Sequence, residues 1–204
     1  MTLPSHIAYP GWVARWEPNT AVRLVHAAVD LFTEQGYDAT TVTEIAERAG
    51  VTKMTFFRHF ADKREVLFAG QELHSQILAE AIAAAPADAT TMAAVAAAVD
   101  ALAATFTEDR RDFSARLQVV MAGHRELRER RAFKHIGLTE AATEALEKRG
   151  VPALAASLAA ELGLRAFDRA FAQWASDPVA SGQPLTDLTR QSLRDLQSAA
   201  ETLT

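Results

Sequence analysis

Five cationic side chains, Arg48, Lys53, Arg58, Lys63 and Arg64, fall within 17 residues that hold a single carboxylate, Asp62. That stretch carries a charge of +4 in a chain whose net charge is −5. The hydroxyls of Thr41, Thr43, Thr52 and Thr55 stand among these cations or just before them. Cations interleaved with hydroxyls suit a polyanion, because lysine and arginine neutralise phosphate and also donate to guanine O6 and N7. The solvated face of an ordinary helix bundle would account for the charges alone. The elements that carry them decide between the two.

Those elements have the grammar of two short helices joined by a tight turn. Thr41 and Glu44 form a T-x-x-E capping box, so a helix starts there. Val42, Ile45, Ala46 and Ala49 fall on one face at helical spacing. Gly50 follows, the residue type that most readily ends a helix in the left-handed conformation. Thr52 can cap a second helix, with Met54 or Phe56, together with Phe57 and Phe60, expected to face inward. Small Ala46 lets the two helices approach closely. A helix-turn-helix over about residues 41–60 places its second helix in the DNA major groove.

Roles follow from position. Thr43, in the first turn of its helix, can donate its hydroxyl to a phosphate. Thr52 and Lys53 open the groove-reading helix, whose N-terminal residues meet base edges. Lys53 is the residue best suited to guanine O6 and N7, and Thr55 on the same exposed face suits a thymine methyl or a phosphate. Met54 can add an apolar base contact.

The segments AAVDLFTEQGYDATTVTEIAERAGV, TKMTFFRHF and ADKREVLF, within about Arg23 to Phe68, resemble the DNA-binding domain of the TetR/AcrR transcriptional regulators. The resemblance implies that His59 and Lys63 contact phosphate, although a histidine buried between helices is the competing reading of His59. Phe57 departs from the family, in which tyrosine is common at this position, because phenylalanine lacks the hydroxyl that would reach a phosphate. It can stack on the sugar-phosphate backbone or simply pack.

Composition narrows the field further. The chain has 204 residues, 49% apolar and 23% charged, as an ordinary globular protein does. It has no cysteine, which excludes a disulfide framework and a thiolate metal site. No uncharged apolar run is long enough to span a bilayer, so a soluble, cytoplasmic protein without a membrane partner is expected. The acidic net charge argues against a sequence-blind coat on nucleic acid, since such binding rests on neutralising phosphates. No Gly-rich phosphate loop, nucleophile elbow or H-E-x-x-H is present, and no histidine follows a glutamate by three positions as a di-iron bundle needs. Neither an enzyme nor a cofactor or metal site is expected. A helical adaptor that binds only protein is the remaining alternative, and it leaves the basic turn unit unexplained.

The whole chain reads as all-α. Residues 1–17, with Pro4, Pro10, Trp12, Arg15 and Trp16, are expected to form an N-terminal arm, and 18–78 the DNA-binding domain. A first helix spans about Thr20 to Gln35, and another is expected to run unbroken from Asp62 to about Ala85. Residues 79–204 form the second domain, with helices at about 90–107, 109–122, 124–149, 152–176 and from Pro184 to the end. Ala79 to Ala104 holds 15 alanines in 26 residues, a composition that favours close helix packing.

Small residues from Ala155 to Gly163 would let another helix backbone come close to the 152–176 helix. Leu164 and Trp174 there, with Leu193, Leu196 and Leu203 on the last helix, are expected to face a second subunit across a four-helix interface, the alternative being that both helices simply pack into their own chain. Groove readers of this kind usually bind two half-sites through a two-fold axis, and the resemblance implies a homodimer on a double-stranded DNA operator. It also implies that the second domain encloses a pocket for a small-molecule effector. Phe106, Phe113, Leu117, Met121, Phe133, Phe167 and Phe171 are the apolar candidates to line it, with Arg116 and His124 as polar anchors. That lining suits an apolar or amphiphilic effector. The combined reading is a ligand-responsive regulator, a repressor in preference to an activator.

Overall fold

The structure is a computed structural model and describes residues 20–176 and 182–203. The expected arm at 1–17 lies outside the described residues. Among those described, every regular element is helical and there is no strand. The chain divides into two compact units, one ending at Ala69 and one beginning at Gly70.

In the first unit, α1 (Thr20–Gln35) buries Leu24, Ala28, Leu31 and Phe32 along one face and ends at Gly36, whose φ is 91°. Tyr37 then packs its ring edge-on against Phe32, centroids 5.0 Å apart. Helix α2 (Val42–Arg48) begins with the full capping box. The Glu44 N–H donates to Thr41 Oγ1 at 3.2 Å, and the Thr41 N–H donates to the Glu44 carboxylate at 2.7 Å. Gly50 turns the chain at φ 69°, and the Val51 N–H donates back to the Ala46 carbonyl at 2.9 Å. Helix α3 (Lys53–His59) is capped by Thr52, which accepts from the Thr55 N–H at 3.1 Å.

Two expectations in this region are corrected. Only Phe56 of α3 and Phe60 at its C-cap face inward, whereas Met54 and Phe57 are exposed. Seven residues make two turns, and one buried stripe at a spacing of four uses all the core contact that length offers. Nor does a helix run unbroken from Asp62. The Asp62 carboxylate does accept from the N–H groups of Arg64 and Glu65 at 2.8 and 3.1 Å, but only a 3-10 turn, Glu65–Phe68, follows. Gly70, with φ 90°, breaks the chain before α4 (Gln71–Ala84) begins. Residues 70–78 therefore belong with the second unit, not the first.

The second unit comprises α4, α5 (Thr91–Ala103), α6 (Arg111–Gly123), α7 (Arg125–Lys148), α8 (Ala153–Ser176) and α9 (Leu185–Glu201). Its core joins Leu78 and Ile82 of α4, Val95, Val99 and Leu102 of α5, Leu146 of α7 and much of α8. Helix α4 lacks a glycine stop, and the Arg149 guanidinium replaces one. It donates to the carbonyls of Ile82, Ala85 and Pro86 at 3.1, 2.8 and 2.6 Å, satisfying a helix end that would otherwise be orphaned. Arg111 does the same near the end of α8, donating to the Trp174 carbonyl at 2.7 Å.

The small-residue stripe of α8 receives α5 of the same chain. A Cβ at Gly163 would collide with Val95 and lie 3.3 Å from Val99 Cγ1. The expected subunit-facing set changes accordingly. Leu164, Trp174 and Leu193 are buried in the chain's own core, so they are not free to meet a second subunit. Leu196 is half-buried against that core, while Leu203, beyond the end of α9, is 87% exposed.

Candidate nucleic-acid interface and aromatic cluster

The capped turn unit holds α3 with Lys53, Met54, Phe57 and Arg58 exposed. Thr43 is likewise exposed in the first turn of α2. Two of the five cations behind the +4 of the sequence are paired within the unit. Arg48 is bidentate to Glu34, at 3.0 and 2.8 Å, and Arg64 pairs with Asp62 at 2.6 Å. The arginine hydrogen bonds hold Glu34 and Asp62 below the usual carboxylate range. Lys53 and Arg58 are the exposed lysine and arginine of α3 itself.

The other expected contacts sit less simply. Thr52 and Thr55 share a hydroxyl–hydroxyl hydrogen bond of 2.9 Å, so part of their capacity is already used. His59 is half-buried beside Phe60, and burial pushes its imidazole below the ordinary histidine value. A neutral imidazole near pH 7 is a weaker partner for phosphate than a cation. Lys63 reaches back to the end of α1, where its ammonium donates to the Tyr37 and Thr40 carbonyls at 2.6 and 3.0 Å. Two of its three N–H bonds are thus committed inside the fold.

In the second unit the structure brings together part of the expected lining. Phe106 lies 5.8 Å from Phe167 and 5.0 Å from Phe171, and those two rings stack at 5.8 Å. His74 completes the cluster from α4, its ring 5.6 Å from Phe106. Burial pushes the His74 imidazole below its ordinary value, so it enters this apolar setting neutral. One turn earlier on α4, Gln71 donates to the Lys134 carbonyl at 2.9 Å while its buried Oε1 accepts nothing. Neither α4 residue was expected from sequence, because single polar residues on a helix give no signal until the facing helix is known.

Met121 is buried on α6, and Phe113 and Leu117 are half-buried there. Arg116 pairs with Asp112 at 3.1 Å and lies 6.0 Å from the Phe113 ring. His124 sits at the junction of α6 and α7. Phe133 is corrected: it is exposed, with the Arg130 guanidinium 5.1 Å over its ring, and lines no apolar set.

A further polar knot joins α7 to α8. His135 Nδ1 lies 3.1 Å from the Asp168 carboxylate, and its buried Nε2 lies 3.6 Å from Glu161. The bond to Asp168 raises the imidazole above its ordinary value, against the opposing effect of burial.

Residues 24–69 match the family model described as bacterial regulatory proteins of the tetR family. Over 57 residues the chain is 49% identical to the transcriptional regulator TcmR of Streptomyces glaucescens, covering 28% of this chain and 25% of that protein. It is 40% identical over 55 residues to the class A tetracycline repressor of Escherichia coli transposon 1721, covering 27% and 24%. It is also 40% identical over 52 residues to the transcriptional activator FasR of Mycolicibacterium smegmatis, covering 26% and 24%. These matches span about a quarter of each curated relative.

Likeness of fold extends further. FadR of Thermus thermophilus, a TetR-family repressor solved with lauroyl-CoA, is 24% identical with a TM-score of 0.54, covering 87% of this chain and 93% of that one. FadR of Bacillus subtilis, solved with stearoyl-CoA, is 19% identical with a TM-score of 0.57, covering 86% and 96%.

Proposed function

This chain belongs to the TetR family of bacterial regulatory proteins, and on that premise we propose that it is a ligand-responsive transcriptional regulator working in the cytoplasm. It binds a palindromic operator in double-stranded DNA as a homodimer, and a small-molecule effector releases it. One observation carries the reading: a fully capped α2–turn–α3 unit with Lys53 and Arg58 exposed on the second helix of the motif. Lys53 reads a base edge, Thr43, Thr55 and Lys63 position the backbone, and Thr52 and His59 support α3 in place.

The unit from Gly70 onward binds the effector and pairs the subunits. Leu154 and Leu158, the large apolar side chains left exposed on α8, support that pairing. Phe106, Phe167 and Phe171 beside His74 support an apolar or amphiphilic effector. The two FadR structures hold acyl-CoA amphiphiles, ligands of that character. Release requires that the effector bind one spacing of the two reading heads better than the other, since equal affinity shifts nothing. The relatives include a repressor and an activator, and repression by occupying a promoter is the simpler of the two mechanisms.

Selection of bound duplexes from a random pool tests the reading. A palindrome with two half-sites is the expected result. Folded protein that enriches no duplex at low salt would favour a helical adaptor instead.

A further inference from the structure

We propose that Met54 and Phe57 form an apolar surface that reads the 5-methyl groups of thymine, an inference that rests on the DNA-binding reading above. Among the described residues of the first unit, three large apolar side chains are exposed, and two of them stand on the seven residues of α3. Met54 is 68% exposed and Phe57 49%. At a spacing of three they share one face of the helix. The core does not need them, because Phe56 and Phe60 already supply its contacts from α3.

Phe57 is also held in place. Its ring meets the wholly buried Phe56 ring edge to face, centroids 5.5 Å apart at 84°. Between the cations Lys53 and Arg58, then, α3 presents apolar surface outward.

Charge complementarity selects the occupant. Cations on either side of an apolar centre match a major groove, where phosphates flank the base edges. The thymine methyl is the one apolar group that those edges display. Met54 is long and unbranched, so it adapts to a methyl at more than one depth. The fixed Phe57 ring sets the position of a second.

The test uses the full-length protein and the duplex it selects. Each thymine is replaced in turn by uracil, which removes the methyl and leaves pairing and the O4 acceptor unchanged. One or two positions in each half-site should lose about fourfold in affinity, the worth of one buried methyl. Met54→Ala and Phe57→Ala should each weaken the parent duplex and abolish uracil sensitivity at one position. Both side chains are exposed, and matched unfolding curves would show the variants folded, while the uracil scan itself needs no variant. The proposal is overturned if every uracil duplex binds within about twofold of the parent, if the selected half-site lacks thymine, or if both variants keep the full sensitivity. If no duplex is selected at all, the DNA-binding reading falls and this proposal falls with it.

Discussion

Lys63 and Tyr37 meet twice: the lysine ammonium donates to the tyrosine carbonyl at 2.6 Å and lies 4.1 Å from the centre of its ring. With the second bond to the Thr40 carbonyl, this ties the segment after α3 to the turn that ends α1. Lys63→Met should remove both roles of the ammonium. Leaving two carbonyls without their donor costs about 1–3 kcal/mol, visible as a lower denaturation midpoint. If the third N–H reaches phosphate, affinity should drop equally on all duplexes and the salt slope should fall by about one. An unchanged slope would leave Lys63 with the structural role alone.

Lys53 should behave differently. It is exposed at the first position of α3 and has no part in the unit's core. Lys53→Ala should leave stability unchanged and cost about 1–3 kcal/mol on the preferred duplex, with relaxed preference at one base position. Repeating the selection with the variant reads this directly. A loss of the same size on every sequence would make Lys53 a phosphate contact instead.

At Gly163 α5 packs closely on α8, the missing Cβ position occupied by the Val95 side chain. Valine is β-branched and short, so it has little room to move aside. Gly163→Ala should therefore destabilise the second unit by about 1–3 kcal/mol, even though alanine is the better helix former. Adding Val95→Ala should recover part of the loss, giving a coupling energy that urea titration of the four proteins would measure. Purely additive losses would mean that the crowding lies elsewhere.

What the sequence could reveal depended on whether the signal was local. The capping box at Thr41 and Glu44, the stop at Gly50 and the cap at Thr52 each act within four residues, and all three are present in the fold. The starts of α2 and α3 and the turn between them could therefore be read from the sequence. The outward turn of Met54 and Phe57 was not legible, because four apolar residues in seven leave two possible stripes and only the neighbouring helix chooses. Small residues on α8 signalled a close approach but not its partner, which at Gly163 is Val95 of α5. Leu164 and Trp174 were assigned to the wrong neighbour for that reason. The role of Arg149 as the stop of α4 joins residues more than 60 apart, beyond the reach of any local pattern.

His135 and His74 predict opposite limbs in the pH dependence of the second unit. The bond to Asp168 raises His135 above the ordinary histidine value, and Glu161 at 3.6 Å adds to it, while the Arg165 charge opposes. The folded state therefore holds this proton more tightly than the unfolded chain does. Its contribution is fully present below the unfolded pKa of about 6.5 and is lost as pH rises through the raised folded value. Burial lowers His74, so its effect has the other sign: stability present above the unfolded value is lost as pH falls toward the folded one. Stability should thus decline on both sides of a maximum. His135→Gln should flatten the alkaline limb and His74→Phe the acidic one. Urea midpoints between about pH 5 and 9 would test this, followed by Trp174 fluorescence with Trp12 and Trp16 replaced by phenylalanine to isolate the signal from this unit. An alkaline limb that survives His135→Gln undiminished would assign the loss to a different group.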